Sequence, residues 1–313
     1  MLMSPMEIAE AFPVRKSGKQ KKAFRDSVQD YARELGYECR FEKGSFGSVN
    51  VIMGDPDKAE YLVTAHYDTC AGMIFPNFIT PCNPLVYILY QLFMVAWMML
   101  LPAIPALAIG CWIGSAETAY WIWYLLFWVS LAMMMFGPAN KNNSNDNTSG
   151  VVTVLEMMRS FPEAQRDKVC FVLFDLEEAG LIGSSAYRKA HKEATNHQMV
   201  LNLDCVGDGD HILMIPTKKL KKDSERMKRL GGICGDLGQK ELMLREKGFS
   251  VYPSDQKNFP LGVGICALRK GAVGLYMGRI HTRRDTILEQ TNVNILRSAL
   301  TSLITCTANK KGA

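Results

Sequence analysis

The chain has 313 residues and a formal net charge of +5 at pH 7, and 21% of its residues are charged. A mean hydropathy of −0.01 conceals a division into polar parts and one very apolar segment. Without that segment about 250 residues remain, a normal size for one domain. The nine cysteines include no CxxC pair, and the chain has no internal repeat, low-complexity tract or phosphate loop. A structural metal finger and a nucleotide-binding loop are therefore excluded, and we expect no nucleic-acid partner.

The N-terminal part is predicted to contain two helices and a pair of strands. Residues 1–13 predict a short helix, and they lack the apolar core and cleavage site of a secretory signal peptide. Residues 24–35 carry an apolar stripe with helical spacing. Residues 39–41 and 48–53 alternate between polar and apolar side chains, which predicts paired strands.

Residues 84–138 differ in composition from the rest of the chain. They contain two apolar runs, at about 85–110 and 119–137, and each is long enough to cross a bilayer core of about 30 Å. Their only charged residue is Glu117, between the runs, and all five tryptophans of the protein lie in this segment. A buried apolar hairpin or a dimerisation arm would have a similar composition.

We interpret the apolar segment as a transmembrane helical hairpin, residues 77–139, inserted into a discontinuous domain formed by residues 1–76 and 140–313. All 36 lysines and arginines lie outside the hairpin. The positive-inside rule then predicts that the discontinuous domain is on the cytoplasmic side. Several of the cysteines fall in apolar strands, as reduced thiols do. We expect an integral protein of the cell membrane, with the lipid bilayer as a partner.

Residues that can bind metal ions follow the apolar strands of the discontinuous domain. His66 and Asp68 follow the strand 61–65, Asp146 opens a predicted helix, Glu177 and Glu178 follow the strand 169–174, Asp204 ends the strand 199–203, and His281 follows the strand 272–276. An isolated Glu pair is usually a solvated helix start. Five oxygen and nitrogen ligands with one spare glutamate, however, are what a pair of divalent cations needs.

This pattern of His66-x-Asp68, Asp146, Glu177-Glu178, Asp204 and His281 resembles the co-catalytic zinc aminopeptidase family, metallopeptidase family M-28, which also contains glutaminyl cyclases. The resemblance extends over residues 20–308 outside the insertion. Residues 254–259 are similar to the family's Ser-Asp-His-x-x-Phe, although Gln256 stands where His is usual. This departure removes no metal ligand but affects what can be expected of the substrate pocket.

The resemblance implies a role for each of these residues and two Zn²⁺ ions per chain. His66 and Asp204 would hold one zinc, Glu178 and His281 the other, Asp146 would bridge both, Glu177 would be the general base, and Asp68 would orient His66. Asp285 could orient His281 in the same way, or it could cap a loop. Cys70 could be a bystander or a soft competing ligand. The implied fold is an α/β three-layer sandwich with a mixed, mostly parallel sheet of about eight strands, plus the inserted hairpin.

The expected function is that of a membrane-anchored zinc metallopeptidase, an aminopeptidase that hydrolyses N-terminal peptide bonds through a metal-activated water. A hydrolase of lipid-like amides such as N-acyl amino acids, or a glutaminyl cyclase, would use a similar site. The family's cyclases usually work with one zinc, so the presence of both His66 and His281 favours hydrolysis. A catalytically inactive membrane receptor is the alternative outside enzymes, and metal content would distinguish it. The expected substrate is a peptide or amide, hydrophobic if the hairpin brings the site close to the bilayer.

The remaining residues predict three more helices. Residues 218–229 form a strongly basic candidate helix, whose charges are either a solvated face or a contact for anionic lipid. Residues 241–247 are predicted to be helical. Residues 292–307 show the apolar spacing of a final amphipathic helix.

Overall fold

One ten-stranded sheet organises the protein, for which a computed structural model describes residues 3–306. The strands are β1 (Cys39–Lys43), β2 (Val49–Met53), β3 (Tyr61–His66), β4 (Val169–Phe174), β5 (Met199–Leu203), β6 (His211–Pro216), β7 (Gly235–Asp236), β8 (Glu241–Leu244), β9 (Gly262–Gly271) and β10 (Gly274–Tyr276). Their order is β1-β2-β4-β3-β5-β9-β6-β8-β7, and β10 pairs with β9 outside this path. The sheet is mixed, as predicted.

Four neighbouring strands, β4, β3, β5 and β9, run parallel in the middle of the sheet. Their residues are almost all buried, as expected for strands covered on both faces. His66 pairs with Phe174, so the loops after β3 and β4 start side by side. The carboxyl ends of these strands therefore bring widely separated parts of the sequence to one edge of the sheet.

Nine helices accompany the sheet within residues 3–306. They are α1 (Pro5–Ala11), α2 (Gly18–Glu34), α3 (Pro84–Ile113), α4 (Ala116–Phe136), α5 (Ser149–Ser160), α6 (Ile182–Ala190), α7 (Lys192–Thr195), α8 (Ser224–Gly231) and α9 (Gln290–Thr305). Side chains of α1, α2, α5, α8 and α9 form the core with one face of the sheet. Tyr187 of α6 packs on the other face with Leu62 and Val172. The predicted three-layer α/β sandwich is confirmed.

The hairpin helices α3 and α4 leave the sandwich and rejoin it at adjoining points. Gly72 N–H donates to the Pro138 carbonyl at 2.9 Å, and Asn140 N–H donates to the Cys70 carbonyl at 3.0 Å. These two segments, here called the hairpin root, hold the start and the end of the excursion together. Because the root closes in this way, a long insertion leaves β3 and α5 correctly placed.

The two hairpin helices pack closely near their connecting turn. A Cβ atom added to Gly110 would lie 2.4 Å from the Ala119 Cβ, so only glycine permits this approach. The indole N–H of Trp123 donates to the Met99 carbonyl at 2.9 Å. Gly114, with φ of 74°, ends α3 in the left-handed conformation that glycine adopts without strain. Both helices are long and apolar enough to cross a membrane.

The structure differs from the sequence predictions in three places. The sheet has ten strands instead of about eight, and four of its nine pairings are parallel, because short hairpin connections add antiparallel strands at its edges. Residues 241–247 were predicted to be helical, which is wrong: Glu241–Leu244 pairs in parallel with β6 and buries Leu242. The basic stretch 218–229 is broken by a 3₁₀ turn before α8. Of the predicted final helix, residue 307 lies outside the described residues.

Candidate metal centre

The sandwich brings the predicted metal-binding residues together at the carboxyl edge of the central strands. His66 ends β3, Glu177 and Glu178 follow β4, and Asp204 follows β5. Because β3, β4 and β5 are parallel neighbours, all of these side chains reach the same edge. Asp146 and His281 come from loops that cover this edge.

The first group of possible ligands consists of His66, Asp146 and Asp204. Each offers a ligand atom within 4.8 Å of the others. The Nε2 atom of His66 lies 3.3 Å from Asp146 Oδ1 and 3.6 Å from Asp204 Oδ1. All three residues are buried, so the group is well shielded from solvent.

The second group shares Asp146 with the first. His281 Nε2 lies 3.1 Å from Asp146 Oδ2 and 3.4 Å from Glu178 Oε2. Asp146 therefore directs one carboxylate oxygen to each group. The Cys70 thiol also belongs to the second group, within 4.8 Å of the other ligand atoms. One carboxylate thus lies between two groups of candidate metal ligands.

The polar atoms of these groups are suited to metal ions. Among residues 3–306, the buried Glu178 Oε1 and Asp204 Oδ1 have no hydrogen-bond partner, which is costly unless a cation satisfies them. Burial raises the pKa of Glu178 to about 8, the neighbouring His281 opposes the increase, and Asp146 adds to it. Burial also acts to raise the pKa of Asp146, but hydrogen bonds from His281 and His66 outweigh it and lower that pKa. The residues present thus fit divalent cations bound by N and O ligands.

Glu177 lies beside these ligands, with His66 and Glu178 as its neighbours. Burial raises the pKa of the Glu177 carboxyl well above its usual value, His66 opposes the increase, and the Glu178 carboxylate adds to it. A carboxylate of increased basicity is suited to take up a proton and return it.

Asp68 contacts both His66 and the adjacent pair Glu177 and Glu178. Its Oδ1 lies 3.4 Å from His66 Nδ1, on the side of the ring that faces away from Asp146. Its two carboxylate oxygens also accept the backbone N–H groups of Glu177 at 3.0 Å and Glu178 at 3.2 Å. Asp68 therefore fixes the backbone from which both glutamates project.

Asp285 holds the loop that carries Asp146. Its carboxylate oxygens accept the N–H groups of Asn145 at 2.7 Å and Asp146 at 3.0 Å. Of the two roles considered for Asp285, this geometry corresponds to holding a loop. Burial raises the pKa of Asp285 to about 7, with Asp146 adding to the increase.

Two asparagines next to Asp146 connect its loop to the loop after β5. The Asn145 side-chain oxygen accepts the N–H groups of Gly207 at 2.7 Å and Asp208 at 3.1 Å. The Asn147 amide donates to the Leu203 carbonyl at 2.9 Å, next to Asp204. The separation between Asp146 and Asp204 is therefore set by side-chain amides as well as by the sheet.

Arg15 is a supporting residue that the sequence analysis missed. Its side chain is fully buried. The guanidinium donates to the Tyr67 carbonyl at 2.6 Å, between His66 and Asp68, and to Thr148 Oγ1 at 3.0 Å. Burial lowers the pKa of Arg15 to about 10, and the nearby Asp68 opposes this decrease, so the group stays charged at neutral pH.

Three residues at the centre have positive φ without being glycine. Leu176, directly before Glu177, has φ of 56°, Cys205 directly after Asp204 has 57°, and His281 itself has 64°. Such conformations cost about 1–3 kcal/mol each and persist when the surrounding structure requires them. They direct the neighbouring side chains toward the common centre.

Gln256, which departs from the family pattern, is turned into the protein. Its amide donates to the Tyr252 carbonyl at 3.0 Å, and its oxygen accepts from the Asn202 amide at 3.3 Å. The preceding Asp255 accepts a hydrogen bond from Ser184, and burial raises the pKa of Asp255 to about 7. Gln256 therefore supports the interior next to β5.

Comparison with known proteins agrees with this geometry. The model of Peptidase family M28 matches residues 134–303, more than half of the chain. This range includes Asp146, Glu177, Glu178, Asp204 and His281, whereas His66 and Asp68 precede it. Aminopeptidase YwaD of Bacillus subtilis (strain 168) is 42% identical over 67 residues, which are 20% of this chain and 15% of that protein. The chain thus matches only a small part of that relative's length.

Solved structures share the fold at low sequence identity. A Tannerella forsythia glutaminyl cyclase matches with a TM-score of 0.60 and 13% identity, over 97% of this chain and 98% of that chain. The LapA aminopeptidase of Legionella pneumophila matches with a TM-score of 0.57 and 12% identity, over 96% of this chain and 70% of that chain. The family model, the partial relative and the shared fold agree with the resemblance found in the sequence, and the chain belongs to peptidase family M28.

Proposed function

We propose that this protein is a zinc-dependent hydrolase that cleaves N-terminal peptide bonds with two Zn²⁺ ions per chain. The observation that carries the proposal is the position of Asp146, whose two carboxylate oxygens face His66 on one side and His281 on the other. A single carboxylate between two ligand groups holds two cations at a fixed spacing and offsets their repulsion.

His66, Asp146 and Asp204 would hold one zinc, and Asp146, Glu178 and His281 the other. Zinc bound there supplies a Lewis acid that polarises the scissile carbonyl and makes a water molecule acidic. Glu177 takes the proton of the attacking water and then delivers it to the nitrogen of the leaving amine. Asp68 keeps Glu177 in place through its backbone N–H.

We infer that α3 and α4 anchor the enzyme in a bilayer. In the most apolar 18-residue stretch of each helix, only 11% is buried in α3 and none in α4. The two helices are therefore not core helices of the sandwich. Their position in the middle of the chain also differs from that of a signal sequence. We therefore place residues 77–139 in a membrane domain and residues 1–76 and 140–313 in the catalytic domain, on the cytoplasmic side by the distribution of lysine and arginine.

The proposal is tested by metal and product analysis of the detergent-purified protein. The chelated protein is expected to regain activity with two zinc equivalents, and to release an amino acid from aminoacyl amides. Release of a fatty acid from N-acyl amino acids only, or cyclisation of N-terminal glutamine only, would replace the aminopeptidase assignment. A protein that binds no zinc and converts no substrate would support the inactive receptor.

A further inference from the structure

A cavity joins the metal centre to the two apolar helices. Its volume is about 200 Å³. Glu178 and His281 of the second ligand group line one part of it, and the hairpin helices supply Tyr90, Gln91, Met94, Met134 and Met135. The hairpin therefore contributes directly to the wall of the candidate active site.

The cavity lies at the level where the helices would leave the hydrocarbon. A bilayer core of about 30 Å needs about 20 helical residues. Counted from the turn at Gly114, the core ends near residue 94 in α3 and near residue 135 in α4. Met94, Met134 and Met135 thus lie at the boundary between lipid and water.

The first residues of α3 lie beyond this boundary and pack on the catalytic domain. α3 has 30 residues and α4 has 21, so the surplus of α3 is at the end near the metal centre. Tyr90 OH donates to the Pro76 carbonyl at 2.7 Å. The Phe75 ring packs edge-on against Phe93 and Trp97, at 5.6 and 5.1 Å between ring centroids. The loop that follows Cys70 therefore fixes the helices relative to the second ligand group.

The lining of the cavity combines two kinds of side chain. The catalytic domain supplies the carboxylate of Glu178 and the imidazole of His281, and the helices supply three unbranched thioether side chains together with Tyr90 and Gln91. Methionine adapts its shape to flexible apolar groups. A ligand that fills this space has a polar group near the metal ligands and an apolar chain between the helices.

We propose that the substrate is an amphipathic amide taken from the bilayer, whose apolar chain next to the scissile bond lies between α3 and α4. The inference rests on the proposed function and specifies its substrate class. The apolar chain belongs either to an N-terminal amino acid with a free amine or to a fatty acyl group, and the two are distinguished by the substrates below.

The test compares two matched substrate series in detergent micelles, with one leaving group throughout. One series carries α-amino acids with short, medium and long unbranched side chains, and the other carries fatty acyl groups of the same lengths without the amine. We expect kcat/KM in one series to rise roughly threefold to fourfold for each methylene that the cavity buries. The series that rises identifies the source of the chain.

Variants separate the cavity from simple partitioning into the micelle. Met94→Trp and Met134→Trp fill the cavity and are expected to reduce kcat/KM of long substrates at least tenfold while short substrates change less than twofold. Met99→Trp and Met133→Trp are matched controls on the same helices, at exposed positions outside the cavity lining, and should retain the wild-type chain-length profile. Met94→Ala enlarges the cavity and should therefore increase the length of the substrate chain that is preferred. Equal zinc content confirms that each variant is folded.

A binding measurement tests the cavity independently of turnover. A long-chain hydroxamate should bind the zinc-loaded wild type and Met99→Trp equally, and Met94→Trp at least tenfold more weakly, by titration calorimetry. Equal binding by all three, or a chain-length profile that is the same in all four Trp variants, overturns the inference. Good turnover of short substrates without any rise in kcat/KM also overturns it and leaves the proposed function intact. Zinc-loaded protein that binds the hydroxamate but hydrolyses no amide contradicts the proposed function instead.

Discussion

Asp146 is the residue on which both ligand groups depend, since its two oxygens face His66 and His281 at 3.3 and 3.1 Å. Asp146→Ala should therefore lower the occupancy of both zinc ions together, measured by metal analysis after dialysis. Asp204→Ala is the matched control, because Asp204 belongs to the first group only. If Asp146→Ala loses one zinc and keeps the other, the bridging ligand has been assigned wrongly.

Glu177 and Glu178 are adjacent, but substitutions of the two residues are predicted to have different effects. Glu177→Ala should retain both zinc ions and reduce kcat by about 10²–10⁴-fold, because it removes a proton carrier and no ligand. Glu178→Ala should instead lose zinc from the second group. Parallel metal analysis and steady-state kinetics separate the two effects, and zinc loss in Glu177→Ala would mean that the two roles are exchanged.

Arg15 connects the N-terminal segment to the two loops that carry the candidate ligands His66 and Asp146. Arg15→Met leaves the Tyr67 carbonyl and Thr148 Oγ1 without their buried donor and removes a charge close to Asp68. We expect the free energy of unfolding to fall by at least about 2 kcal/mol, because each buried acceptor left unpaired costs about 1–3 kcal/mol, and urea titration followed by circular dichroism measures this change. Arg33→Met on the exposed side of α2 is the control, with a change within about 0.5 kcal/mol. Equal stability of the two variants would contradict a structural role for Arg15.

The sequence was sufficient to predict site residues at the ends of strongly apolar strands. It was not sufficient to predict residues that act through partners far away in the chain. His66 ends a strongly apolar strand, and Glu177 and Asp204 each follow one. Arg15 has no such context, because its partners lie 52 and 133 residues away. The contact of Asp285 with the Asp146 loop spans 139 residues and left two roles open. A role that depends on tertiary contacts can be assigned only from the three-dimensional structure.

At the scale of elements, local propensity identified α1, α2, α5, α9 and the two hairpin helices, but it assigned a helix to the strand β8. Residues 241–247 contain good helix formers, and only pairing with β6 and the burial of Leu242 make Glu241–Leu244 a strand. The sheet topology determines where the basic stretch 218–229 lies. β6 is antiparallel to β9, so this stretch lies beyond the opposite edge of the sheet from His66, with Arg229 stacked over Tyr61 at 5.6 Å. That position favours a solvated face over contact with the bilayer at the hairpin.

The hairpin is predicted to be a separable element. Because residues 70–72 pair with residues 138–140 and all ten strands lie outside it, replacing residues 85–136 with a short Gly/Ser linker should leave a folded domain with two bound zinc ions. The variant should be recovered without detergent, as measured by flotation and metal analysis. The loop around Phe75 then loses its contacts with Phe93 and Trp97, so some loss of thermal stability is expected. A variant that aggregates without zinc would show that the sandwich needs α3 and α4 to fold.

At the scale of the whole molecule, charge is distributed unequally along the proposed membrane normal. Exposed basic residues, Lys141, Arg283 and Arg284, flank the hairpin root, whereas the turn between α3 and α4 carries none. Anionic headgroups attract lysine and arginine at the surface of the cytoplasmic leaflet. If the helices cross the membrane as proposed, this distribution predicts that the metal centre lies on that side, close to the bilayer.

A cysteine introduced at the turn by Ser115→Cys and the native Cys306 can test this orientation. Ser115 lies between α3 and α4, and Cys306 is exposed after α9 on the catalytic domain. If the catalytic domain is cytoplasmic, a membrane-impermeant maleimide should label the turn of the Ser115→Cys variant in intact cells and Cys306 only after permeabilisation, with the labelled peptides located by mass spectrometry. Buried Cys170 should stay unlabelled in both samples and reports that the protein remains folded. The reverse pattern would place the catalytic domain outside, and labelling of neither cysteine before permeabilisation would mean that the hairpin does not cross the bilayer. Because the proposed cavity lies at the boundary near the catalytic domain, the outcome also decides from which leaflet the substrate is taken.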